Sequence, residues 1–537
     1  MAKLLDGNSE GQQLQLSNIH LHPSYKWFVL ANVMFGTFMA VLDATIVNVG
    51  LSKMTAAFGT SVDKIEWVLT AYMLVFAVVL PSSGWVADHF GYKKTYFLGM
   101  FLFTLGSLLC SFSWDENALI AFRVIQGAGA GFIMPVGMAI ITREFPPEQR
   151  GMALGFWGIA SAASVSLGPM IGGYLIDNFS WHAIFDVNVP VGILGMLVTI
   201  IIQREYKTEH VRKFDLIGFI SMTVFLTGLL LALSDGNAAW NTGGWTSDFI
   251  LSCFAISIIS FVIFIITELN VEHPIVELRL MKDLNFTIGN IMLFIFGMGL
   301  FGSTFLLPLY LQNSLNYTAF QAGIVFFPIG IIQAIMSPIA GWMSDKINPK
   351  IPLLVGITCT ALSLYLYSFF SLTTEHGQIM IPLYIRGFGM GLMFVPLTTI
   401  TLLNIPKWKM AQASGLLNTI RQIGGSFGVA LLGSLLTRRV IFHIQAYSQV
   451  VNSNSSTYQN VFYNLQYFVQ HSVGGVGKEV AARANALIVQ NLANQAFIQG
   501  INDDFLVGAI ITATLIIPIF FIEIRKKGKS EKIKIME

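Results

Sequence analysis

The stretch from Ala160 to Gly173 reads Ala-Ser-Ala-Ala-Ser-Val-Ser-Leu-Gly-Pro-Met-Ile-Gly-Gly. It lies inside an apolar segment that is long enough to cross a bilayer, yet its side chains are small. A stripe of small residues lets a second helix backbone approach closely, and a proline bends the helix that contains it. We therefore predict a bent helix packed inside a bundle, although an ordinary packing helix would show the same stripe. The stripe consists of Ala160, Ser164, Gly168 and Gly172, which recur every four residues; the proline is Pro169, and Gly173 ends the stretch.

The composition of the whole chain is that of a membrane protein. Its 537 residues are 54% hydrophobic and 11% charged, and the mean hydropathy is +0.67. Soluble globular proteins carry roughly 25% charged residues. The first 25 residues lack an apolar run with a cleavage site, so we expect no cleaved signal peptide. The fold class predicted is an all-α polytopic membrane protein.

Fourteen apolar segments of about 20 residues are each long enough to span a bilayer. They lie at residues 27–49, 66–87, 95–112, 117–141, 151–176, 183–203, 214–234, 248–268, 286–311, 320–343, 351–371, 378–403, 412–437 and 503–523. One connection, at about residues 438–502, is long. It holds Gln- and Asn-rich stretches, a glycine turn at 473–477 and helix-forming sequence at 478–499, so we expect a helical excursion there.

Basic residues are concentrated on one side of the predicted bundle. Loops that follow even-numbered segments are rich in Lys and Arg, whereas the short loops on the other side carry only Lys53 and Lys64. Cytoplasmic loops are enriched in basic residues, so the first side is predicted to be cytoplasmic, with both termini on it. The basic residues are Lys93, Lys94, Arg143, Arg150, Arg204, Lys207, Arg212, Lys213, Arg279, Lys282, Lys346, Lys350, Lys407, Lys409 and, in the tail, Arg525, Lys526, Lys527 and Lys529.

An internal repeat divides the chain into two like-oriented halves. The pattern Pro-x-x-Gly-Trp-x-x-Asp closes the second segment at residues 81–88 and the tenth at 338–345. Two such six-helix halves are typical of transporters, whose substrate path lies between them. The predicted divisions are a cytoplasmic tail (1–26), a first bundle (27–203), two inserted helices (214–268), a second bundle (286–523) and a cytoplasmic tail (524–537).

Two charges lie deep in the first half. Asp43 is in the first segment and Arg123 in the fourth. A carboxylate at that depth is costly and must face a cavity, find a partner or bind a proton part of the time. Arginine keeps its proton, but it can change how readily a nearby carboxylate is protonated. We predict that Asp43 carries a proton and Arg123 tunes it, with a static structural ion pair as the alternative.

The turns at the ends of the repeat are candidate gates. In the first half, Gly84 and Asp88 precede a reversal at Gly91, and Lys93 and Lys94 follow. Glycine permits the reversal, and Asp88 can accept hydrogen bonds from a helix N-terminus or pair with a basic side chain. For the two lysines alone, membrane anchoring is the favoured interpretation. The corresponding residues of the second half are Gly341 and Asp345.

Several other polar residues lie within the apolar segments and are candidates for a cavity lining. They are Asn48, Gln126, Asp186, Gln333 and Arg421. Arg421 is early in the thirteenth segment, where anchoring or gating is favoured over substrate contact. Asp186 can face an outward cavity or simply lie at the water interface.

Motifs of soluble enzymes are absent from the sequence. It contains no phosphate-binding Gly–Lys loop, so ATP is not expected as the energy source, and no metal-ligand cluster or Gly-x-Ser-x-Gly turn. We therefore expect a non-enzyme without cofactors, driven by a proton gradient.

Four motifs in the expected segments resemble the major facilitator superfamily, and within it the 14-helix drug/proton antiporters of the EmrB/QacA type (the DHA2 group). Residues 84–94 resemble motif A, and residues 123–127 resemble motif B, which is associated with proton coupling. Residues 168–173 resemble motif C, which marks antiporters, and residues 42–49 resemble motif D1. The resemblance covers residues 27–525.

The resemblance implies a proton-driven multidrug exporter of the bacterial inner membrane that works by alternating access on amphipathic compounds. Members from Gram-negative bacteria work with a membrane-fusion adaptor, so the long outer loop is a candidate docking surface; a tolerated insertion is the alternative. The acid that QacA-like proteins carry in helix ten has no counterpart here, which argues against a dedicated exporter of dications.

Two other functions fit the sequence less well. A carrier of one specific metabolite or nutrient would not need the antiporter-like fifth segment. A non-transporting membrane sensor would need neither two deep charges nor a repeated gate, and it would show no flux in vesicles.

Overall fold

The structure is a computed structural model that describes residues 24–60, 62–206, 213–236, 238, 240–450, 455–472, 474 and 477–522. Several predictions from the sequence fall outside these residues. They concern most of the first tail (1–23), the basic residues Lys207 and Arg212, positions 473, 475 and 476 of the glycine turn, and the basic residues of the last tail.

Fourteen helices within the described residues correspond to the predicted membrane segments and are numbered α1–α14; the other helices are given by their residue ranges. They are α1 Tyr25–Phe58, α2 Val62–Phe90, α3 Tyr92–Ser111, α4 Glu116–Glu144, α5 Arg150–Asn178, α6 Asn188–Ile202, α7 Leu216–Asp235, α8 Asp248–Asn270, α9 Leu284–Thr304, α10 Ala319–Lys346, α11 Lys350–Tyr367, α12 His376–Thr401, α13 Met410–Val450 and α14 Lys478–Thr514. Thirteen helical spans of the described chain are long and apolar enough to cross a membrane. The remaining helix, α5, has 29 residues and packs in the middle of the bundle. The all-α membrane fold is confirmed.

Two predicted segments are interrupted in the structure. The sixth (183–203) consists of a short helix, Ala183–Asp186, followed by α6, and the ninth (286–311) consists of α9 followed by a second helix, Leu306–Asn313. Each later helix has a proline, Pro190 or Pro308, as its third residue. Proline lacks an N–H, and the first turn of a helix is the place where this costs least, so it favours a new start at these points.

The last two membrane helices extend far beyond their predicted boundaries. The prediction ended the thirteenth segment at 437 and began the fourteenth at 503, whereas α13 runs for 41 residues to Val450 and α14 begins at Lys478. Hydropathy marks the part of a helix that lies in lipid, not where the helix ends. The expected excursion at 438–502 is therefore built from both extensions and a helix, Ser456–Ser472, which packs against α14.

The two halves meet along two long helix pairs. One pair is α5 with α10 and the other is α2 with α13. The opposite face of α5 packs against α1, so α5 is held between the halves. The inserted helices α7 and α8 pack on each other, and α7 also contacts α2 and α13. The inserted pair therefore lies beside the α2–α13 junction.

Candidate functional site

A buried ion pair joins α1 to α4. The Oδ2 atom of Asp43 accepts a hydrogen bond from Nη1 of Arg123 at 2.5 Å, and both side chains are fully buried. Removing two charges from water costs several kcal/mol per ion, and their attraction offsets this only in good geometry. The two deep charges singled out in the sequence thus lie in direct contact, and their role in proton transfer stays a prediction.

Neutral side chains complete the surroundings of the Asp43 carboxylate. Its Oδ1 atom accepts hydrogen bonds from the amides of Gln126 at 2.8 Å and Asn188 at 3.1 Å. Both amides also donate to the hydroxyl of Ser107, at 2.6 and 3.3 Å. An ionised carboxylate accepts hydrogen bonds and donates none, so this arrangement suits a charged Asp43.

Helix α2 holds the other side of Arg123. The Nε atom of Arg123 donates to the backbone carbonyl of Val68 at 3.0 Å, and its guanidinium lies 4.1 Å from the ring centroid of Tyr72. The Tyr72 hydroxyl in turn donates to the carbonyl of Ala40 in α1. Helices α1, α2, α3, α4 and α6 therefore converge on this cluster, with α3 contributing Ser107. A change in the Asp43–Arg123 pair would alter contacts of all five helices.

The candidate gate of the first half contains a close approach of α2 to α13. A Cβ atom on Gly84 would lie 2.9 Å from Cα of Gln412, so only glycine permits this contact. Asp88 is buried and its Oδ1 accepts a hydrogen bond from the Tyr92 hydroxyl at 2.8 Å. The α2–α13 junction is therefore closed on the side that carries the basic loops.

The turn after Asp88 is tied to the end of α6. Gly91 has a φ of 102°, which favours glycine, and Glu205 accepts a hydrogen bond from the backbone N–H of Lys93 at 3.1 Å. The Lys93 ammonium donates to the carbonyl of Ile200 at 2.7 Å, whereas the side chain of Lys94 is exposed. Lys93 thus links two helices of the first half.

The corresponding residues of the second half bind the N-terminus of α5. The carboxylate of Asp345 accepts hydrogen bonds from the backbone N–H groups of Gly151 at 3.0 Å and Met152 at 2.9 Å. Gly341 lies so close to α5 that a Cβ atom there would be 2.1 Å from the carbonyl oxygen of Gly151. A carboxylate at a helix N-terminus stabilises the free N–H groups and the helix dipole. The α5–α10 junction is thereby closed on the same side.

The small-residue stripe of α5 faces α1. A Cβ atom on Gly168 would lie 2.0 Å from the hydroxyl oxygen of Thr45, and one on Gly172 would lie 2.8 Å from Ile46. The other face of α5 contacts α10, where Pro169 packs on Gly323 and Gly173 on Phe320. The helix continues through its proline. It is therefore in contact with both halves over most of its length.

The remaining polar candidates do not form one site. Gln126 belongs to the Asp43 cluster, whereas Asn48 and Asp186 are exposed, and Asp186 accepts a hydrogen bond from Ser111. Gln333 is half-buried on α10 beside Gly391, and the Arg421 guanidinium lies 5.0 Å from the ring centroid of Phe394.

A cavity lies in the half of the bundle opposite the basic loops. Its volume is about 420 Å³, and α2, α7, α9 and α13 line it, mostly with apolar side chains. Its polar lining residues are Thr70, Ser234, Gln422 and Ser426. Helices α2 and α13, which touch at Gly84, therefore separate toward the other side of the membrane.

Residues 33–429 match the sequence profile of the Major Facilitator Superfamily. The chain belongs to this superfamily. It is 32% identical over 489 residues to the multidrug export protein EmrB of Escherichia coli K12, covering 90% of this chain and 93% of that protein. It is 30% identical to the riboflavin transporter RibZ of Clostridioides difficile, covering 84% of this chain and 96% of that protein.

The fold agrees with a solved structure of the superfamily. The human organic anion transporter MFSD10 (TETRAN) aligns with a TM-score of 0.56 and 13% sequence identity, covering 91% of this chain and 100% of that chain. At this identity the likeness concerns the fold. The chain is thus a multi-pass membrane protein of the Major Facilitator Superfamily, similar in sequence to bacterial export proteins.

Sequence reasoning missed several members of the site. Asn188 and Ser107 contact the Asp43 network, and Glu205 holds the turn at Lys93. Asn188 had a signal, because an amide at the start of an apolar helix beside Pro190 is unusual. Nothing in the sequence marks Ser107, because serine is common in membrane helices and only packing brings this one to the cluster.

Proposed function

We propose that this protein exports amphipathic compounds in exchange for protons, by alternating access of a site between its two halves. The observation that carries the proposal is the fully buried Asp43–Arg123 pair, whose hydrogen-bond network involves five helices. Buried pairs of this kind are weak devices for stability, so a role in function explains the cost of the pair better. Asp43 is the group that binds the proton, and Arg123 is the counter-ion that protonation releases.

The closed junctions define the step of the cycle to which this conformation corresponds. Contacts at Gly84 and Gly341 close the predicted cytoplasmic side, while the 420 Å³ cavity lies toward the outside. A proton that binds Asp43 from the outside removes its charge and weakens its attraction to Arg123. The protein then returns to the state open to the cytoplasm, where substrate from the cytoplasm or inner leaflet displaces the proton. Helix α5 seals the contact between the halves and limits leak.

The lining of the cavity supports an amphipathic substrate. Apolar side chains with a few hydroxyl and amide groups bind varied apolar compounds without demanding one pattern of hydrogen bonds. Methionine adds adaptability, and Met73 is part of this lining. Among the relatives, one is named as a multidrug export protein, which agrees with this proposal.

Proton-gradient-dependent uptake of a fluorescent amphiphile into inverted membrane vesicles tests the proposal. Wild-type protein is expected to accumulate the dye, and Asp43→Asn is expected to abolish accumulation at unchanged expression. Asp248→Asn, which removes an exposed carboxylate at the start of α8, is the matched control and keeps wild-type uptake. Retained uptake in Asp43→Asn contradicts the role of Asp43, and no uptake of any amphiphile by wild type contradicts multidrug export.

A carrier of one specific metabolite is the second candidate. It is favoured by the riboflavin transporter RibZ, which is similar over 84% of this chain. Such a carrier would move one compound with a sharp preference over its analogues, whereas the proposed exporter moves chemically unrelated dyes at comparable rates. Competition among several labelled compounds in the same vesicles separates the two.

The outer helices are proposed as the docking surface for a membrane-fusion adaptor at the bacterial inner membrane. A groove of about 740 Å³ lies between α13, the helix Ser456–Ser472 and α14, and apolar side chains such as Val461, Leu465 and Phe468 line it. An adaptor helix would fill it. Loss of co-purification of a co-expressed adaptor on Phe468→Asp, with vesicle transport unchanged, is the expected result, and unchanged co-purification contradicts this partner surface.

A further inference from the structure

The second half contains a buried cation that the N-terminal mechanism does not use. Arg386 of α12 is 2% exposed, and its Nη2 atom donates to the hydroxyls of Ser303 at 3.0 Å and Thr304 at 2.9 Å. Its Nη1 atom has no hydrogen-bond partner among the described residues, and no ion pair there includes Arg386. Burying a guanidinium group costs desolvation free energy, and its hydrogen bonds to hydroxyl groups do not supply the negative charge that would offset this cost.

A buried acid without hydrogen bonds lies in the same half. Asp504 of α14 is fully buried, and neither of its carboxylate oxygens has a hydrogen-bond partner in the part of the chain that the structure describes. An ionised carboxylate in such a place would cost many kcal/mol, and a group in that position becomes neutral instead. A neutral Asp504 therefore fits its surroundings better than an ionised one.

The acid and the cation are connected through α9. Gly508 follows Asp504 by one helical turn on the same face of α14, and a Cβ atom there would lie 3.9 Å from Cβ of Ser303. Ser303 is the residue whose hydroxyl accepts from Arg386. One turn of α-helix is about 5.4 Å, so a shift of α14 of that order brings the Asp504 carboxyl group to the Arg386 cluster.

A partly exposed cluster lies on the outer side of Asp504. The carboxylate of the adjacent residue, Asp503, is 2.6 Å from Nε of Arg439 and 2.7 Å from Nε2 of His443. These side chains are partly open to solvent, whereas Asp504 is not. Histidine and carboxylate side chains can pass protons between water and an interior acid. Asp504 thus lies between a solvated proton relay and a buried cation.

The helices that pack against α14 bring few titratable or polar groups toward Asp504. Helix α13 contributes Arg439 and His443, and α11 contributes Tyr367, whose ring packs on Phe505 at 5.0 Å. Helix α9 contributes the Ser303 hydroxyl, and the helix Leu306–Asn313 contributes Tyr310, which donates to the carbonyl of Ser371. The outer helix meets α14 far from Asp504, where Tyr458 donates to Asn485.

We propose that Asp504 is a second proton-binding site, with Arg386 as the counter-ion of its ionised form. This inference rests on the proposed proton-driven export. The O–H bond of Asp504 breaks when its proton leaves toward the cytoplasm, and the carboxylate that remains pairs with Arg386. No electrons are transferred. In the present conformation Asp504 holds its proton while Asp43 is ionised, so the two protons bind in succession.

A second proton changes the charge balance of the cycle. Export of one monovalent organic cation against two protons moves one net positive charge inward, whereas export against one proton moves none. The membrane potential therefore drives the wild-type cycle, and it has no effect once Asp504 is lost.

Purified full-length protein in proteoliposomes tests this with tetraphenylphosphonium as substrate. A potassium–valinomycin potential without a pH gradient drives export by wild type and by Asp248→Asn. In Asp504→Asn this potential-driven flux falls at least tenfold. When a pH gradient is imposed instead, Asp504→Asn still exports the cation. Asp504→Glu restores part of the potential-driven flux. Unchanged potential-driven flux in Asp504→Asn overturns the inference.

Counting protons in the wild-type chain gives an independent test that requires no stable variant. Addition of tetraphenylphosphonium to the detergent-solubilised protein, first equilibrated in weak buffer at a pH acidic enough to protonate both Asp43 and Asp504, is expected to release two protons per bound cation. Release of one under these conditions overturns the second site. If wild type shows no flux driven by a pH gradient, the proposed function itself fails. If it shows such flux with one proton per cation, only Asp504 is refuted.

Discussion

At the scale of single residues, the two halves accommodate buried ionisable side chains in different ways: Asp43 pairs directly with Arg123, whereas Asp504 and Arg386 are buried apart from each other. In the first, a carboxylate accepts hydrogen bonds from Arg123, Gln126 and Asn188. In the second, the acid and the cation are each buried without the other. The surroundings of Asp43 therefore supply hydrogen-bond donors to its carboxylate oxygens, whereas those of Asp504 supply none among the described residues.

The contribution of Asn188 can be measured separately from that of the ion pair. Asn188→Ala removes two hydrogen bonds, one of them to a charged group, which is worth about 1.5–3 kcal/mol. We expect a lower melting temperature in detergent and at least a tenfold loss of proton-driven dye uptake. Asn270→Ala is the control, because its amide bonds only to Ile266 of its own helix at the surface. Equal behaviour of the two variants contradicts a role for Asn188.

At the scale of helices, α5 has most of the contacts between the halves. Its stripe faces α1, its other face follows α10, and its first N–H groups are held by Asp345. Small residues on both faces allow the three backbones to approach closely, so that a methyl group in the wrong place separates them. Closure of the cytoplasmic side therefore depends on van der Waals contact along one helix.

Gly341→Ala tests this dependence. The new methyl group would meet the carbonyl oxygen of Gly151 at 2.1 Å, which is backbone and cannot turn away. We expect α5 and α10 to separate, so that a Ser337→Cys thiol is alkylated faster from the cytoplasmic side and efflux falls at least tenfold. Gly377→Ala, where a methyl group has open space, changes neither. An unaltered alkylation rate in Gly341→Ala shows that this contact does not limit closure.

Features with a large free-energy cost, such as a charge inside the membrane or a very close helix contact, can be predicted from the sequence. Features with little cost, such as a neutral polar side chain, are hard to predict. Asp43 and Arg123 were identifiable because a charge inside a membrane demands an explanation, and the glycines of 84–91 and 168–173 because close contact excludes other residues. Ser107 was not, since a serine in a membrane helix is common and only packing brings this one to the Asp43 cluster. Asp504 was overlooked because it lies at the edge of the apolar segment that begins at residue 503, where an acid normally meets water.

The membrane-spanning parts of the helices can also be predicted from the sequence, but the ends of the helices cannot. The apolar segments were located because burial in lipid requires them, but the ends of α13 and α14 were misplaced by more than ten residues. Beyond the membrane a helix needs only helix-forming residues, and those leave no sharp mark in hydropathy. The breaks at Asp186 and Phe305 lie within apolar runs, where hydropathy alone shows no boundary.

At the scale of the whole molecule, one of the two inserted helices, α7, borders the outer cavity. Helix α7 lines the outer cavity together with α2, α9 and α13, so it borders the space that opens when the halves rock. Helix α8 packs against α7 and has a largely exposed, apolar surface that suits lipid. The pair therefore closes one side of the α2–α13 junction toward the bilayer.

A bulky substitution on α7 that fills the cavity tests whether α7 lines the substrate path or only packs beside it. Ser234→Trp places an indole in the 420 Å³ space and is expected to reduce efflux of large dyes about tenfold, with a smaller effect on small ones. Ser252→Trp, at an exposed position of α8, leaves both unchanged. Equal loss for dyes of every size indicates a blocked conformational change, and no loss excludes α7 from the path.

Helix α13 acts as a lever arm, since its 41 residues run unbroken from the Gly84 contact to the outer groove. A rod of this kind, about 60 Å long, converts a small tilt within the bilayer into a much larger sweep at its free end. If α13 tilts during the proposed cycle, the outer helices are expected to move farther than the part of α13 that lies in the bilayer. A binder that clamps this end to a fixed support would stop transport without touching the drug.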